Sequence, residues 1–167
     1  MNNFNTLFLD RDGVINVKLE GKYVQQIKDC VFMPGAITAI AKLSTVFDRI
    51  IIVTNQQGIG KEIMTDNELE SLHEFMLTEI AAKGGLITKV YYCPHLVSEN
   101  CNCRKPAPGM LEKAMEDYPA ITIEHSVLVG DSDSDIQAGD IMGLTTVKVD
   151  NEYTLAVWCK ELLTVLR

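Results

Sequence analysis

Two aspartates, Asp10 and Asp12, stand one residue apart directly after an apolar run and could do chemistry there. In extended backbone, residues two positions apart point to the same side, so both carboxylates are predicted to enter one pocket. Gly13 behind them allows a sharp turn. Like charges this close are costly unless a cation or a shared proton relieves them, and a hard ion such as Mg²⁺ provides that relief. The alternative is an ordinary turn.

Two further apolar runs also end in polar clusters, which are Thr54 with Asn55 and Asp131 with Asp135. Ligand sites in parallel α/β sheets lie beyond the carboxyl ends of the strands, so these clusters are expected to converge on the Asp10 pocket. Each cluster alone has a simpler interpretation. Thr54 could be a hydroxyl that caps a turn, and Gly130-Asp131 could itself be a turn.

Apolar runs alternate with amphipathic segments along the whole chain. The runs predict strands at 4–9, 49–53, 88–92, 126–129 and 145–149. The amphipathic segments predict helices at 35–44, 66–83, 109–118, 133–142 and 154–166, the last with Leu155, Trp158, Leu162 and Leu166 inward. This alternation predicts an α/β fold, a three-layer Rossmann-like parallel sheet flanked by helices, in one domain over residues 1–167. The segment 14–32 predicts a flap or a small hairpin near Asp10.

The composition excludes several classes of protein. The chain has 167 residues, of which 47% are hydrophobic, and this fits one domain with a sizeable core. The net charge of -8 argues against nucleic-acid binding, and no apolar run reaches membrane length. The segment Met1–Asn5 has no basic stretch and no signal-peptide core, so we expect a cytoplasmic monomer. Five cysteines in that compartment are expected to be thiols or metal ligands before disulfides.

Four of the potential metal ligands lie within eleven residues, as Cys93, His95, Cys101 and Cys103. Three thiolates and one imidazole form a tetrahedral Zn²⁺ set, and four protein ligands make a closed, structural site. Unliganded, reduced thiols are the alternative. Arg104 and Lys105 follow directly, so the zinc-clipped loop is expected to aim both cations at the pocket.

A phosphate ester in this pocket would meet the groups that phosphoryl chemistry needs. Mg²⁺ held by Asp10 and Asp131 would supply positive charge, Lys105 a second cation, and Thr54 a hydrogen-bond donor. One carboxylate could attack phosphorus and form an aspartyl-phosphate. The other could protonate the leaving oxygen and later deprotonate water.

These clusters together resemble the four motifs of the haloacid dehalogenase (HAD) superfamily of phosphatases. The matching segments are Asp10-Arg11-Asp12-Gly13, Thr54, Lys105, and Gly130-Asp131 with Asp135. The resemblance implies Asp10 as nucleophile, Asp12 as general acid and base, and Mg²⁺ as cofactor. It also implies that Thr54 and Lys105 hold the phosphoryl group. Asp131 and the backbone carbonyl of Asp12 would ligate Mg²⁺, with Asp135 in a supporting role.

The cysteine-rich segment indicates one subgroup within this superfamily. Cys-Pro-His, Cys-x-Cys-Arg-Lys-Pro-x-Pro-Gly-Met and the segments 10–16 and 54–56 are similar to D-glycero-D-manno-heptose 1,7-bisphosphate phosphatases. This subgroup also contains histidinol-phosphate phosphatases. The resemblance implies a small phosphorylated sugar as substrate and a role in lipopolysaccharide heptose biosynthesis. Two features depart from the heptose pattern. The short segment from His95 to Cys101 is closer to the histidinol-phosphatase branch. Gln57, Lys61 and Glu62 stand where heptose enzymes usually carry a small residue and Arg-Gly, and both departures count against a preference for the bisphosphate.

Single helices fill most intervals between the predicted strands, so we expect a capless enzyme with an open pocket. Substrate contacts would then come from surface loops, and the predicted substrate-binding residues are Asn55, Gln56, Lys61 and Arg104. For Lys61, a solvated loop charge is the alternative. A different class of function, a catalytically silent module that binds a phosphorylated metabolite, is disfavoured because every motif residue is intact.

Overall fold

The computed structural model of the protein describes residues 4–167. Five strands form one sheet: β1 (Phe4–Leu9), β2 (Phe47–Asn55), β3 (Lys89–Cys93), β4 (Val127–Gly130) and β5 (Thr145–Lys148). Five α-helices accompany them: α1 (Ala36–Leu43), α2 (Asp66–Ala82), α3 (Gly109–Asp117), α4 (Asp133–Met142) and α5 (Leu155–Val165). Short 3₁₀ turns occur at Ile27–Asp29, Val97–Glu99 and Ile123–His125.

The sheet is parallel throughout and has the strand order β3-β2-β1-β4-β5. The strand β1 is central, and its last residue, Leu9, pairs with Ile52 of β2 and Val129 of β4. The carboxyl ends of these three strands therefore lie side by side. Because each strand ends in one of the polar clusters or is followed by one, the register alone brings the clusters together.

The two faces of the sheet carry separate parts of the core, because alternate residues of a strand point to opposite sides. Leu7 and Leu9 pack with α1, α2 and α5, whereas Phe8 packs with α3 and α4. Strands covered on both faces are nearly continuously apolar, which is why the sequence pattern identified them. The predicted three-layer arrangement is confirmed.

The strand β2 is longer than predicted at both ends. The strand β2 begins at Phe47, which pairs with Phe4 of β1 and stacks near it with ring centroids 5.0 Å apart. The strand also extends through Thr54 and Asn55. The start of α2 is confirmed, because Thr65 and Glu68 form the reciprocal hydrogen bonds of a capping box.

The segment 14–32 forms no hairpin strands. Asn16 pairs with Phe32 through an isolated bridge, and the remainder is loop with one 3₁₀ turn. Ile15 and Val24 are buried in the core, so apolar side chains hold this segment in place where a strand ladder was expected. It remains a loop beside the pocket, without a cap domain.

Most of the predicted inward face of α5 is confirmed. Leu155 and Trp158 are buried, and Leu162 packs partly against the core. Leu166 caps the end of the helix and lies outside the core cluster, whereas Cys159 lies within it.

In the part of the chain that the structure describes, no helix is both long and apolar enough to cross a membrane. The prediction of a cytoplasmic location rested partly on residues 1–3, which lie outside the described residues.

Candidate active site

A polar pocket opens at the carboxyl ends of β1, β2 and β4. Eight of the predicted site residues line it, namely Asp10, Asp12, Asn55, Gln56, Arg104, Lys105, Asp131 and Asp135. The loop 14–32 forms one wall through residues that include Lys18 and Tyr23. The convergence of the strand-end clusters, which was expected from their positions in the sequence, is thus observed.

Asp10 is buried among charged groups at the end of β1. The Nζ of Lys105 donates to Asp10 Oδ1 at 3.0 Å, to the carbonyl of Val53 at 2.7 Å, and to Asp135 Oδ1. Burial raises the pKa of Asp10 well above its ordinary value; Lys105 opposes this rise, whereas the carboxylates of Asp135 and Asp131 add to it. Lys105 is therefore a cation that offsets repulsion around Asp10, and Lys18, 3.5 Å from Asp131 Oδ2, is a second cation beside the cluster.

Asp12 lies in the same pocket but in a different environment. Arg11 Nη2 donates to its Oδ1 at 2.8 Å, as does Asn16 Nδ2 at 3.0 Å, and Gln56 Nε2 donates to its Oδ2 at 2.9 Å. Burial favours a higher pKa for Asp12, but the Arg11 charge and these three donors hold its pKa below the ordinary value. The two carboxylates of the first motif thus differ in charge environment and in hydrogen bonding.

Asp10, Asp131 and Asp135 each offer a carboxylate oxygen within 4.8 Å of the others. Oδ1 of Asp131 is buried and has no hydrogen-bond partner, so it is free to accept a cation. Asp135 is already occupied, because Lys105 donates to its Oδ1 and the backbone and hydroxyl of Ser132 donate to its Oδ2. The residues present therefore fit Mg²⁺ at Asp10 and Asp131, with Asp135 in support.

Two glycines permit this close packing of carboxylates. Gly13 adopts a φ of 84°, and a Cβ there would collide with the carboxylate of Asp131. A Cβ at Gly130 would collide with the side chain of Asp135. Both glycines belong to motifs that the sequence shows, and the structure explains why neither position can carry a side chain.

The residues at the end of β2 form hydrogen bonds with one another, with Asp12 and with the backbone of Lys105. Thr54 is fully buried, and its hydroxyl accepts from Gln56 Nε2 at 2.8 Å. Asn55 exchanges two hydrogen bonds with the backbone of Lys105, at 3.0 and 3.1 Å. Asn55 and Gln56 were predicted to bind substrate, and in the structure their amides orient Lys105 and Asp12.

The two cations predicted to grip the substrate differ in position. Arg104 lines the pocket, and its Nη1 is buried without a hydrogen-bond partner. Lys61 does not line the pocket, and its Nζ lies 5.3 Å from the centroid of the Tyr23 ring. The pocket also receives Lys18 and Lys22, which the sequence reasoning did not select.

Arg11 and His73 were also missed by sequence reasoning. Arg11 is 1% exposed and bonds both Asp12 and His73. A signal was present in the sequence, since His73 occupies a position on the apolar face of the predicted second helix. A polar side chain at such a position requires a buried partner.

The cysteine-rich segment folds into a compact cluster. Sγ of Cys103 lies 2.8 Å from Sγ of Cys93 and 3.1 Å from Nδ1 of His95, and Sγ of Cys101 lies 3.5 Å from that of Cys93. All four ligand atoms lie within 4.8 Å of one another, and none of the cysteines forms a disulfide. Burial raises the pKa of Cys93, so a cation would be needed to stabilise its thiolate. Three thiols and an imidazole at this spacing fit Zn²⁺.

Comparisons with known proteins agree with this site. A HAD-hydrolase-like family model matches residues 102–162. The D-glycero-alpha-D-manno-heptose-1,7-bisphosphate 7-phosphatase of Photorhabdus laumondii is 37% identical over 150 residues, which are 86% of this chain and 80% of that protein. The D-glycero-beta-D-manno-heptose-1,7-bisphosphate 7-phosphatase of Pseudomonas putida is 39% identical over 143 residues, which are 86% and 81% of the two chains.

A solved structure shows the same fold over almost the whole chain. The D,D-heptose 1,7-bisphosphate phosphatase of B. bronchiseptica, complexed with magnesium and phosphate, is similar with a TM-score of 0.88 and 29% identity. The match covers 96% of this chain and 99% of that chain. With the carboxylate pocket and the cysteine cluster in place, these matches show that the chain belongs to the heptose-1,7-bisphosphate 7-phosphatase family of HAD phosphatases.

Proposed function

We propose that this chain removes the 7-phosphate of D-glycero-D-manno-heptose 1,7-bisphosphate in a Mg²⁺-dependent reaction. The observation that carries the proposal is the contrast between two neighbouring carboxylates. Asp10 is held by Lys105 beside two further carboxylates, whereas Asp12 is held by three neutral or cationic donors. Two carboxylates in such different surroundings suit two separate tasks in one reaction.

Asp10 is the proposed nucleophile. Its carboxylate oxygen forms a bond to phosphorus while the bond from phosphorus to the sugar oxygen breaks, and this gives an aspartyl-phosphate. The ammonium group of Lys105, 3.0 Å from Asp10 Oδ1, holds the carboxylate in place and opposes the rise of its pKa that burial causes. Thr54 is buried at the carboxyl end of β2, the strand that pairs with β1.

Asp12 is the proposed acid and base. It donates a proton to the departing sugar oxygen, and it later takes a proton from the water that attacks the aspartyl-phosphate, which releases phosphate and restores Asp10. In the free protein its lowered pKa keeps Asp12 ionised. A phosphoryl anion entering beside it would raise that pKa, so Asp12 would take up its proton as substrate binds.

The two metal sites would serve different purposes. Asp10 and Asp131, with the backbone carbonyl of Asp12, would hold Mg²⁺, which supplies positive charge to the phosphoryl oxygens when bound. The set Cys93, His95, Cys101 and Cys103 would hold Zn²⁺ as a structural clip. Magnesium occurs in the B. bronchiseptica relative, which supports the first assignment.

The charge of the pocket supports a substrate with two phosphates. Lys18, Lys22, Arg104 and Lys105 all line it, although the chain as a whole carries a net charge of -8. Arg104 is the best placed for the second phosphate, because its buried Nη1 has no partner. Lys61 is the weaker candidate, since it lies against Tyr23 outside the pocket lining.

The test is phosphate release with Mg²⁺ from a panel of both heptose 1,7-bisphosphate anomers, fructose 1,6-bisphosphate, histidinol phosphate and p-nitrophenyl phosphate. We expect one heptose anomer to exceed the other compounds at least ~100-fold in kcat/KM, or ~2.7 kcal/mol of transition-state discrimination, and we expect EDTA to abolish release. A preference for histidinol phosphate would overturn the substrate assignment. No release from any compound would indicate a binding module.

The remaining predictions follow from the proposed substrate. A heptose bisphosphate places the enzyme in lipopolysaccharide heptose biosynthesis. Action in the cytoplasm, as a monomer and without nucleic-acid or membrane partners, stays a prediction.

A further inference from the structure

We propose that His73 is a positioning residue for Asp12 and that it acts through the buried guanidinium of Arg11. This inference rests on the proposed role of Asp12 as acid and base. It assigns a function to a helix residue that lies outside the four sequence motifs and does not line the pocket.

The three residues form a continuous chain of hydrogen bonds from α2 to the pocket. Nε2 of His73 lies 3.1 Å from Nη1 of Arg11, and Nη2 of Arg11 donates to Asp12 Oδ1 at 2.8 Å. His73 is 6% exposed and Arg11 is 1% exposed, so water competes little for these contacts. The fixed position of α2 in the core is thereby transmitted to one oxygen of Asp12.

The hydrogen-bonding capacity of arginine decides the state of His73. A guanidinium donates only, so Nε2 of His73 must accept, and the ring is neutral with its proton on Nδ1. Burial, together with the positive charge of Arg11, lowers the pKa of His73 to about 3. His73 therefore remains a neutral acceptor at any pH near neutrality.

The side chain of Arg11 has few other hydrogen-bond partners. Among the described residues, the hydrogen bonds of its guanidinium go to His73 and Asp12, and its buried Nε has no partner. Without the acceptor on His73, Nη1 would also be buried and unpaired, which is unfavourable. We expect the guanidinium to move until Nη1 finds another acceptor. Because Nη2 bonds Asp12 Oδ1, this movement would displace the Asp12 carboxylate from its position in the pocket.

The competing interpretation is that His73 only fills space. It lies between Leu72 and Met76 on the buried face of α2, and its ring centroid is 6.1 Å from that of Tyr92. A packing residue would change stability and would affect all substrates alike. A residue that positions the general acid would affect mainly substrates whose leaving oxygen needs a proton.

The test uses that difference in leaving group. Wild type and the His73→Leu variant are assayed for kcat/KM on two substrates. The departing sugar oxygen of the heptose bisphosphate needs a proton, whereas the p-nitrophenolate of p-nitrophenyl phosphate departs without one. We expect a fall of about 30-fold on the sugar phosphate and less than about 3-fold on the aryl phosphate. Equal falls on both substrates would overturn the proposal.

Two amide variants give a matched pair with little change in size. The amide of His73→Gln reaches the position of Nε2 and can accept from Arg11, whereas the shorter amide of His73→Asn reaches only the position of Nδ1. We expect Gln to restore at least about one third of the wild-type sugar-phosphate rate and Asn to behave like Leu. Identical behaviour of Gln and Asn would overturn the proposal, and this pair carries the test if the leucine variant does not fold.

Two controls separate this proposal from the proposed function. Leu72→Ala removes a buried neighbour on the same helix, and we expect it to lower the Tm without changing the ratio of the two rates. Measured as kcat/KM, which reports phosphoryl transfer to Asp10 and not the later attack of water, Asp12→Asn should lose far more on the sugar phosphate than on the aryl phosphate. If Asp12→Asn shows no such preference, the acid role itself is wrong. If it does and His73→Leu does not, only the positioning role is wrong.

Discussion

The molecule contains two clusters of candidate metal ligands, and they differ in how completely the protein satisfies them. The carboxylate cluster opens on the pocket, and Lys105 donates to two of its members, Asp10 and Asp135. The Oδ1 atom of Asp131 has no hydrogen-bond partner. In the cysteine cluster, three thiols and His95 face one another. A set with a free position and a competing cation suits a site where substrate must enter and leave, whereas a set of four mutual ligands suits a permanent clip.

The clusters are also joined through the chain. Arg104 and Lys105 follow Cys103 directly, and the backbone N–H of Arg104 donates to Cys101 Sγ at 3.4 Å. Asn55 then holds the backbone of Lys105 from β2. The cysteine cluster can therefore affect the chemistry only indirectly, by placing two cations. We therefore expect mutations in the carboxylate cluster to affect the rate more than mutations in the cysteine cluster.

The largest effect is expected at the proposed nucleophile. Asp10→Asn should lower kcat at least about 10⁴-fold on every substrate, because the amide cannot attack phosphorus. The circular dichroism spectrum should be unchanged, since the amide fits the same space and relieves the repulsion from Asp131. Substantial residual turnover, measured as phosphate release against a mock-purified control, would rule out the nucleophile assignment.

An intermediate effect on rate, together with a large effect on stability, is expected at the shared cation. Lys105→Met should lower kcat/KM about 100-fold and the free energy of unfolding by about 3–5 kcal/mol at neutral pH, since Asp10 and Asp135 remain buried without their cation. The control is Lys113→Met, which removes an exposed ion pair with Asp117 and should change little.

The stability effect of Lys105→Met should depend on pH. In the folded protein burial favours a higher pKa for Asp135, but Lys105 holds it below the ordinary value of 3.8. A lowered folded pKa contributes stability above the unfolded value, and that contribution is lost as the pH falls through the folded value. The difference in unfolding free energy between variant and wild type, measured by urea denaturation, should therefore shrink on acidification. A constant difference would contradict the ion-pair explanation.

The smallest effect on rate is expected at the cysteine cluster. Cys101→Ser should reduce bound zinc, as measured by atomic spectroscopy, and lower the Tm by on the order of 10 °C. The rate should fall only about 3–10-fold, because the clip acts through the placement of Lys105. The control is Cys159→Ser, which replaces a buried thiol on α5 outside the cluster. This variant should retain the bound zinc. Unchanged zinc in the Cys101 variant would exclude the clip.

Much of the fold and the polar site could be predicted because they follow from local patterns. Buried parallel strands are continuously apolar. Polar residues that directly follow such a run, as Asp10 and Asp131 do, can therefore be recognised in the sequence. The loop 14–32 was less predictable, because buried side chains such as Ile15 and Val24 hold it without any periodic pattern. The role of Lys61 was likewise open, since only the folded loop shows that it lies against Tyr23.

The sequence by itself determined the fold class, the ligand types of both clusters and the motif residues, because these depend on residue chemistry and short spacing. Only the tertiary structure decided which groups meet across long separations. It paired Lys105 with Asp10 and Asp135, joined Asn55 to the backbone of Lys105, and connected His73 to Asp12 through Arg11. These partners come from different strands and helices, and their contacts depend on strand register and helix packing, which no local pattern encodes.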